Sequence, residues 1–420
     1  MKKVVFITSV ALAAIGMTGC SNDMPMEVAN IHVEETMSPN PMRVSRQEAI
    51  EVANKGLASL VGRSTRGRSV KNVEVFGSAP TRTSSSVDTM FYIVNYEGNG
   101  GFAVVSADRR LEPLYAISDE GNLSLSDTIE NYGLNIFFRS IEQEATQYGL
   151  NIPDSISQID PSIPVLPVNP GGDDVMVEEL IQPMLSPVVR KWGQGTPFNY
   201  FCPLGNLNWP YLVGCVALSG TQILSYYEWP NNIGGYYFSW NVVKTKTDHI
   251  TYEILARVGA PEYFNINYGY NTEYGGNTGI GSYQTIDIVP KAFYNLGYEK
   301  LPDPRVFSIN SAITELRNNK PMLIFGTLST DNTRGHAWTI DGLYHTYGTI
   351  IHDSPTPIHT YMFHCSWGFE GRGDGYYLFN TSGMGGTPGH KDSADGEGGT
   401  AFKMMNLKFF SDFKKRSTLL

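Results

Sequence analysis

Positive charge is in short supply: 31 Lys and Arg stand against 41 Asp and Glu, a formal charge of -10 with a pI near 5.3. No basic surface is left over for phosphate backbones, so nucleic acid is not an expected partner. Cysteine is scarce, with 4 residues in 420. Long apolar runs are missing after the first 16 residues, so no spanning helix is expected. G-x-S-x-G, H-E-x-x-H and Walker A patterns are also absent, which removes serine hydrolase, zincin and P-loop readings. Glycine and proline, 43 and 24 residues, stay inside globular bounds, and the length predicts two or three compact units. Aromatics make up 12%, and most of the 24 Tyr fall beyond residue 190, a composition suited to sheet faces and stacking grooves.

Met1-Lys2-Lys3, the apolar run Val4 to Gly16 and the junction Met17-Thr18-Gly19-Cys20 read as an export signal over 1–19. Thr-Gly-Cys at the end of that run resembles a bacterial lipobox, which implies acylation of Cys20 and membrane attachment through lipid alone. The chain is then an outer-membrane or cell-surface lipoprotein, with release after processing as a further outcome. Plain signal cleavage with an incidental Cys20 is the alternative. Cys202, Cys215 and Cys365 remain, and an odd number in an exported chain leaves at least one thiol unpaired.

Residues 20–40 form a tether. Ser45 with Glu48 makes a capping box, and Ile50, Ala53, Leu57 and Leu60 follow at helical spacing. Phe91–Tyr96 and Phe102–Val105 flank a Gly-rich turn and predict a hairpin, Leu114–Ser118 a further strand, and Thr128–Tyr148 one helix. Residues 41–150 are therefore a small α+β domain. Seven prolines and Gly171-Gly172-Asp173-Asp174 mark 151–187 as an extended, protease-sensitive linker. From 188 to 420, helices come first (212–227, 283–296, 309–318). Short strands follow (322–325, 337–340, 349–352, 361–367, 376–379), with Asp341-Gly342 read as a turn. Helices followed by a strand meander predict a two-part α+β domain with a cleft. The Gly-rich stretch 383–399 reads as a loop.

Cys215 opens the buried 212–227 helix, where free N–H groups and the helix dipole favour a thiolate nucleophile. Such a nucleophile needs a proton acceptor near neutrality, and His336, with Gly335 before it and Ala337–Gly342 after it, is the candidate base. Because 121 residues separate the two, only the fold can bring helix and strand together. A Cys on an apolar helix is by itself an ordinary core residue.

The local text around these residues is more specific. Trp192-Gly193-Gln194-Gly195-Thr196-Pro197-Phe198-Asn199, Val213-Gly214-Cys215-Val216-Ala217 with Thr221-Gln222, Gly335–Gly342, and Cys365-Ser366-Trp367-Gly368-Phe369 ahead of Gly373-Asp374-Gly375-Tyr376-Tyr377 resemble, in order, the signature blocks of the streptopain family of bacterial cysteine peptidases. Residues 41–150, notably Gly101–Asp108, resemble that family's pro-domain. The resemblance implies a papain-like catalytic domain over 188–420, with a helical half and an antiparallel sheet half. It implies further an inhibitory pro-domain over 41–150, a maturation cut within 151–187, and hydrolysis of protein and peptide substrates through a thioester, with no cofactor or metal. Carried over residue by residue, it makes Cys215 the nucleophile, His336 the base and acid, Gln194 an oxyanion donor and Trp367 a shield beside the imidazole. Ser366 stands where the family usually has Asn, which leaves the orientation of the imidazole to Asp341 or a backbone carbonyl.

A catalytically inactive papain-like adhesin or inhibitor is the competing reading, and intact Gly214-Cys215 and Gly335-His336 argue against it. A metal cluster of His352, His359, His364 and Cys365 is disfavoured, because its spacing matches no common zinc motif.

Overall fold

The computed structural model describes residues 43–61, 68–78, 88–109, 111–147, 176–205, 208–269, 282–328, 330–331, 335–348, 358–382 and 405–417. The export signal, Cys20, the tether, residues 151–175, the strand expected at 349–352 with His352, and the Gly-rich loop 383–399 lie outside the described residues.

Helix α1 (Arg46–Val61) starts at the expected box: Glu48 N–H donates to Ser45 Oγ at 3.3 Å, and Ser45 N–H to Glu48 Oε2 at 2.8 Å. Its buried stripe Ala49, Ala53, Leu57 and Leu60 lies over strands β2 (Asp88–Tyr96), β3 (Phe102–Ser106) and β4 (Leu114–Ser118), with β1 (Val70–Ser78) at the sheet edge beyond β2. The expected hairpin is β2–β3. Gly101, at φ 104, closes it where a Cβ would lie 2.0 Å from the carbonyl oxygen of Ser118. The single helix expected at 128–148 is two: α2 (Leu125–Glu130) and α3 (Tyr132–Gln147). The break is local chemistry, since Asn131 Oδ1 accepts the N–H groups of Gly133 and Leu134 and so caps a new helix.

The stretch expected as a linker ends in a strand, β5 (Met176–Ile181), followed by α4 (Pro187–Arg190). The helical part holds α5 (Cys215–Tyr227), a hairpin of β6 (Asn232–Ile233) and β7 (Tyr236–Tyr237), α6 (Trp240–Val243) and α7 (His249–Val258). It continues through the pair β8 (Asn267–Tyr268) and β9 (Ser282–Tyr283) to α8 (Val289–Asn295). After β10 (Arg305–Val306) and α9 (Ile309–Arg317) come the long strands β11 (Met322–Leu328), β12 (Gly335–Gly348), β13 (Ile358–Ser366), β14 (Gly375–Ser382) and β15 (Met405–Phe410).

All the long strands join one antiparallel sheet in the order β1-β2-β3-β4-β14-β13-β12-β11-β15-β10, with β5 laid against the far half of β12. The fold is α+β, with a helical half and an antiparallel sheet half as expected. The leading unit is not a separate body, however: β4 pairs with β14 through Ile117 with Tyr376 and Ala116 with Tyr377. Asp341-Gly342 is not a turn either. β12 runs through it, and a bulge between the pairs Ile340–Cys365 and Gly342–His364 leaves Asp341 unopposed. A Cβ on Gly342 would come within 2.9 Å of the Ile181 carbonyl, so glycine lets β5 approach here.

Strand alternation sorts the two faces. Met322, Ile324, Trp338 and Ile340 pack with Phe137, Phe138 and the rest of the leading unit, whereas Leu323, Ala337 and Phe410 pack with Val216, Ala217 and the helical core. Helix α3 therefore covers one face of β11 and β12, and α5 covers the other.

Candidate active site

Cys215 is the first residue of α5, a helix buried nearly throughout, entered from Gly214 at φ 92. The Gln194 carbonyl accepts the Val213 N–H at 3.0 Å, which ties the Trp192–Asn199 loop to the helix entrance and brings half-buried Gln194 beside it. Cys215 itself is half-buried. Burial pushes its thiol pKa up, against the N–H groups of Ala337, Val216 and Cys215, which pull it down. The helix terminus therefore does not suffice to ionise the thiol in this form, contrary to the expectation from position alone.

His336 opens β12 and is 4% exposed. By alternation its side chain lies on the face of Trp338, the face covered by α3, while Ala337 turns toward α5 and Cys215. Its Nε2 sits 2.9 Å from the Trp367 carbonyl oxygen, and this contact places the proton on Nε2. Burial lowers the imidazole pKa to about 4, with the Trp367 carbonyl opposing the shift. A neutral thiol and a neutral imidazole on different faces do not form an ion pair.

The first turn of α3 presses on the same imidazole. The Tyr132 ring meets it edge-on, centroids 6.3 Å apart and planes at 90°. A Cβ on Gly133 would stand 2.8 Å from His336 Cδ2 and 2.4 Å from Trp367 Cε3. Only a glycine lets this helix rest on both rings. Two sets of ion pairs hold the leading unit in place: Arg190 with Glu120, and Arg372 with Asp127 at 3.2 Å and Glu130 at 3.3 Å.

Asp374 fixes the strand end that carries Trp367. Its Oδ1 accepts the Trp367 N–H at 2.9 Å and its Oδ2 accepts the Ser366 hydroxyl at 3.0 Å. Burial raises its pKa to about 6, against His364, the Trp367 N–H, Arg190 and Ser366. Gln222 Nε2 donates to Ser366 Oγ at 3.3 Å, and Thr339 Oγ1 donates to Gln222 Oε1 at 2.9 Å, linking α5, β12 and β13 behind the site.

The family model described as Peptidase C10 family matches residues 192–255, the segment holding Gln194 and Cys215, and that described as Spi protease inhibitor matches residues 41–145, the segment resting on His336. The chain thus combines a segment similar to C10 peptidases with one similar to a protease inhibitor. At family level it is a cysteine peptidase behind an inhibitor-type segment. Among solved structures, this chain is similar to a prointerpain A fragment of Prevotella intermedia carrying a cysteine-to-alanine substitution. That match has 18% identity and a TM-score of 0.47, over 81% of this chain and 98% of the other. Active interpain A cysteine protease of the same organism matches at 18% identity and a TM-score of 0.34, over 49% of this chain and 88% of that one. No curated protein matches this chain.

After the inhibitor-type segment, the structure puts Gln194 and Cys215 at one helix entrance and His336, with Trp367, on the face of β12 that α3 covers. Trp367 meets the imidazole through its carbonyl, and its indole packs on Trp338 and Tyr377 at centroid distances of 5.1 and 5.0 Å. Asp341 does not orient His336. The bulge buries its carboxylate against Leu185 N–H at 2.9 Å and His364 Nδ1 at 2.6 Å. Ser366 serves the buried network rather than the imidazole, and Cys365 is an interior strand residue whose thiol burial raises well above its ordinary range. Tyr132, Gly133 and Asp374 escaped the sequence reading. An isolated glycine in a helical pattern was the one available signal, and it marks close packing.

Proposed function

We propose that the chain is the zymogen of a cysteine endopeptidase in which Cys215 and His336 form the dyad once the leading unit leaves. The observation that carries this reading is the first turn of α3 seated on His336 and Trp367, inside a segment of inhibitor type. With α3 withdrawn, the imidazole regains solvent and its ordinary basicity, and its edge of β12 already adjoins Cys215 through Ala337. His336 then takes the thiol proton. The thiolate attacks the scissile carbonyl, with Gln194 and the α5 N–H groups facing the developing oxyanion. The imidazolium returns the proton to the leaving amine, a thioester remains, and water activated by His336 hydrolyses it. Trp367 screens the ion pair from water.

Residues 176–185 are held by the β5–β12 ladder and by Asp341, so the maturation cut is assigned to 151–175. Acylation of Cys20 would keep the precursor at a membrane surface facing protein substrates. That part is tested by detergent partitioning of the chain and its Cys20→Ala variant. For the peptidase reading, Cys215→Ala should abolish self-processing and cleavage of an unfolded protein substrate. Turnover retained in that variant, or full activity of the uncut chain, overturns it.

A further inference from the structure

Away from the catalytic cleft, β5 and β13 flank β12 at a group of side chains that the peptidase chemistry does not use. His345 on β12 and His359 on β13 lie on one face, their rings 5.1 Å apart and 30° from parallel, with His345 Nε2 2.9 Å from His359 Nδ1. Glu178 of β5 completes the set: its Oε2 is 3.4 Å from His345 Nε2 and 3.7 Å from His359 Nδ1. The sheet aims this carboxylate deliberately. β5 pairs His345 with Glu179 and Thr346 with Val177, so Glu178 is the extra residue of a bulge, and it is turned toward the imidazoles by that irregularity.

The three ligand atoms stand close enough together to meet on one metal ion. Ligands of a tetrahedral zinc, at bonds of about 2.0–2.1 Å, stand about 3.3–3.4 Å apart. Separations of 2.9, 3.4 and 3.7 Å bracket that value. Two imidazoles and one carboxylate are a donor set zinc accepts with a fourth position left for water. His345 is buried and clamped by the Tyr361 ring at 4.2 Å, which holds one ligand rigid. Glu178 and His359 are 40% and 35% exposed, so an ion has a path in from solvent. Arg317, the nearby cation, is spent on Glu179 through a forked contact, leaving Glu178 free to meet the ion.

We propose that Glu178, His345 and His359 form a structural divalent-cation site, with Zn2+ as the fitting ion, that pins β5 to β12 and β13. The site goes beyond the peptidase reading and is independent of it. Its role would be mechanical: β5 follows the 151–175 segment, so the ion ties the segment bordering that stretch to the sheet.

The test uses the full chain carrying Cys215→Ala, which removes the catalytic thiol as a rival zinc ligand. After chelator treatment and dialysis, calorimetric titration with ZnCl2 should show one high-affinity equivalent. Glu178→Gln and His359→Ala, both at exposed positions, should each weaken it at least tenfold. Co2+ should give visible d–d absorption of four-coordinate character that both variants lose. Zn2+ should raise Tm in the parent and not in either variant, whose Tm without metal reports that they fold. No bound equivalent in the parent, or an equivalent of unchanged affinity in both folded variants, overturns the site.

Discussion

His336 donates its Nε2 proton to the carbonyl of Trp367 across 2.9 Å, which fixes the ring orientation and leaves Nδ1 as its basic nitrogen. Trp367 is held in turn by Asp374, and the pair His336–Trp367 is covered by Gly133. On the reading proposed above, latency rests on a ring that burial keeps neutral under a helix that fits against it.

The first prediction concerns pH. The imidazole pKa is near 6.5 in an exposed chain and about 4 here. A lowered histidine pKa stabilises the docked form above pH 6.5, and that stabilisation is lost as pH falls from 6.5 toward 4. The shift corresponds to about 3 kcal/mol over the whole window. Asp374 works in the opposite sense, its raised pKa favouring the folded chain at low pH, so a variant is needed to isolate the histidine. In the Cys215→Ala chain, susceptibility of the leading unit to an added protease should rise from pH 7.5 to 4.5. In Cys215→Ala/His336→Gln the rise should be flattened. Parallel profiles would remove His336 as the titrating group.

Gly133 gives the second. Any Cβ there meets Trp367 and His336 inside van der Waals contact. Overpacking of this kind costs about 1–3 kcal/mol, roughly a ten- to hundredfold loss in docking at mid-range. Gly133→Ala and Gly133→Val should shorten the lag before self-processing, in that order, with α1 to β4 still folded by circular dichroism. An unchanged lag in Gly133→Val would mean that α3 does not gate the histidine.

The sequence shows much of this architecture because its signals are local. The Ser45–Glu48 box, the Gly-rich hairpin turn and the apolar face of α5 are each set by residues within a turn or two of one another. What it hides is set at a distance. Asn131 breaks a continuous apolar stripe with one side-chain oxygen, and the bulge at Asp341 depends on β5 and β13 arriving on either side. The Glu178–His345–His359 group joins three strands, so no linear spacing reports it. Cys215 and His336 stand out in the sequence through their flanking text, whereas the cover over His336 does not, since it comes from a helix about 200 residues upstream of the histidine.

Asp374 is expected to act through Trp367 rather than on substrate. Asp374→Ala leaves a buried Trp367 N–H and a Ser366 hydroxyl unmet, at about 1–3 kcal/mol for each orphaned group. Asp374→Asn keeps one acceptor for the N–H and has a donor for the hydroxyl oxygen. In the matured enzyme, Asp374→Ala should lower kcat and Tm together, while Asp374→Asn should restore most of both and remove the stability change that the wild-type carboxyl contributes between pH 4 and 6. Failure of the Asn variant to recover activity would place the charge itself, rather than the backbone tether, in the mechanism.

Asp341 carries the last prediction. Its carboxylate is fully buried and holds both the His364 ring and the Leu185 N–H, while its carbonyl accepts Met184 N–H at 3.0 Å. The chain leaving β5 is therefore tied to the bulge by side chain and backbone alike. Removing the carboxylate orphans two buried donors, the His364 ring and the Leu185 N–H, at about 1–3 kcal/mol each. Asp341→Ala should lower Tm sharply and speed hydrogen exchange over 182–186, and cleavage by an added protease should spread into that stretch. Asp341→Ala/His364→Phe, which removes the stranded imidazole too, should recover part of the Tm while the exchange at Leu185 stays fast. Recovery of both together would show that the loss came from His364 alone and that the Leu185 tether contributes nothing to holding the segment.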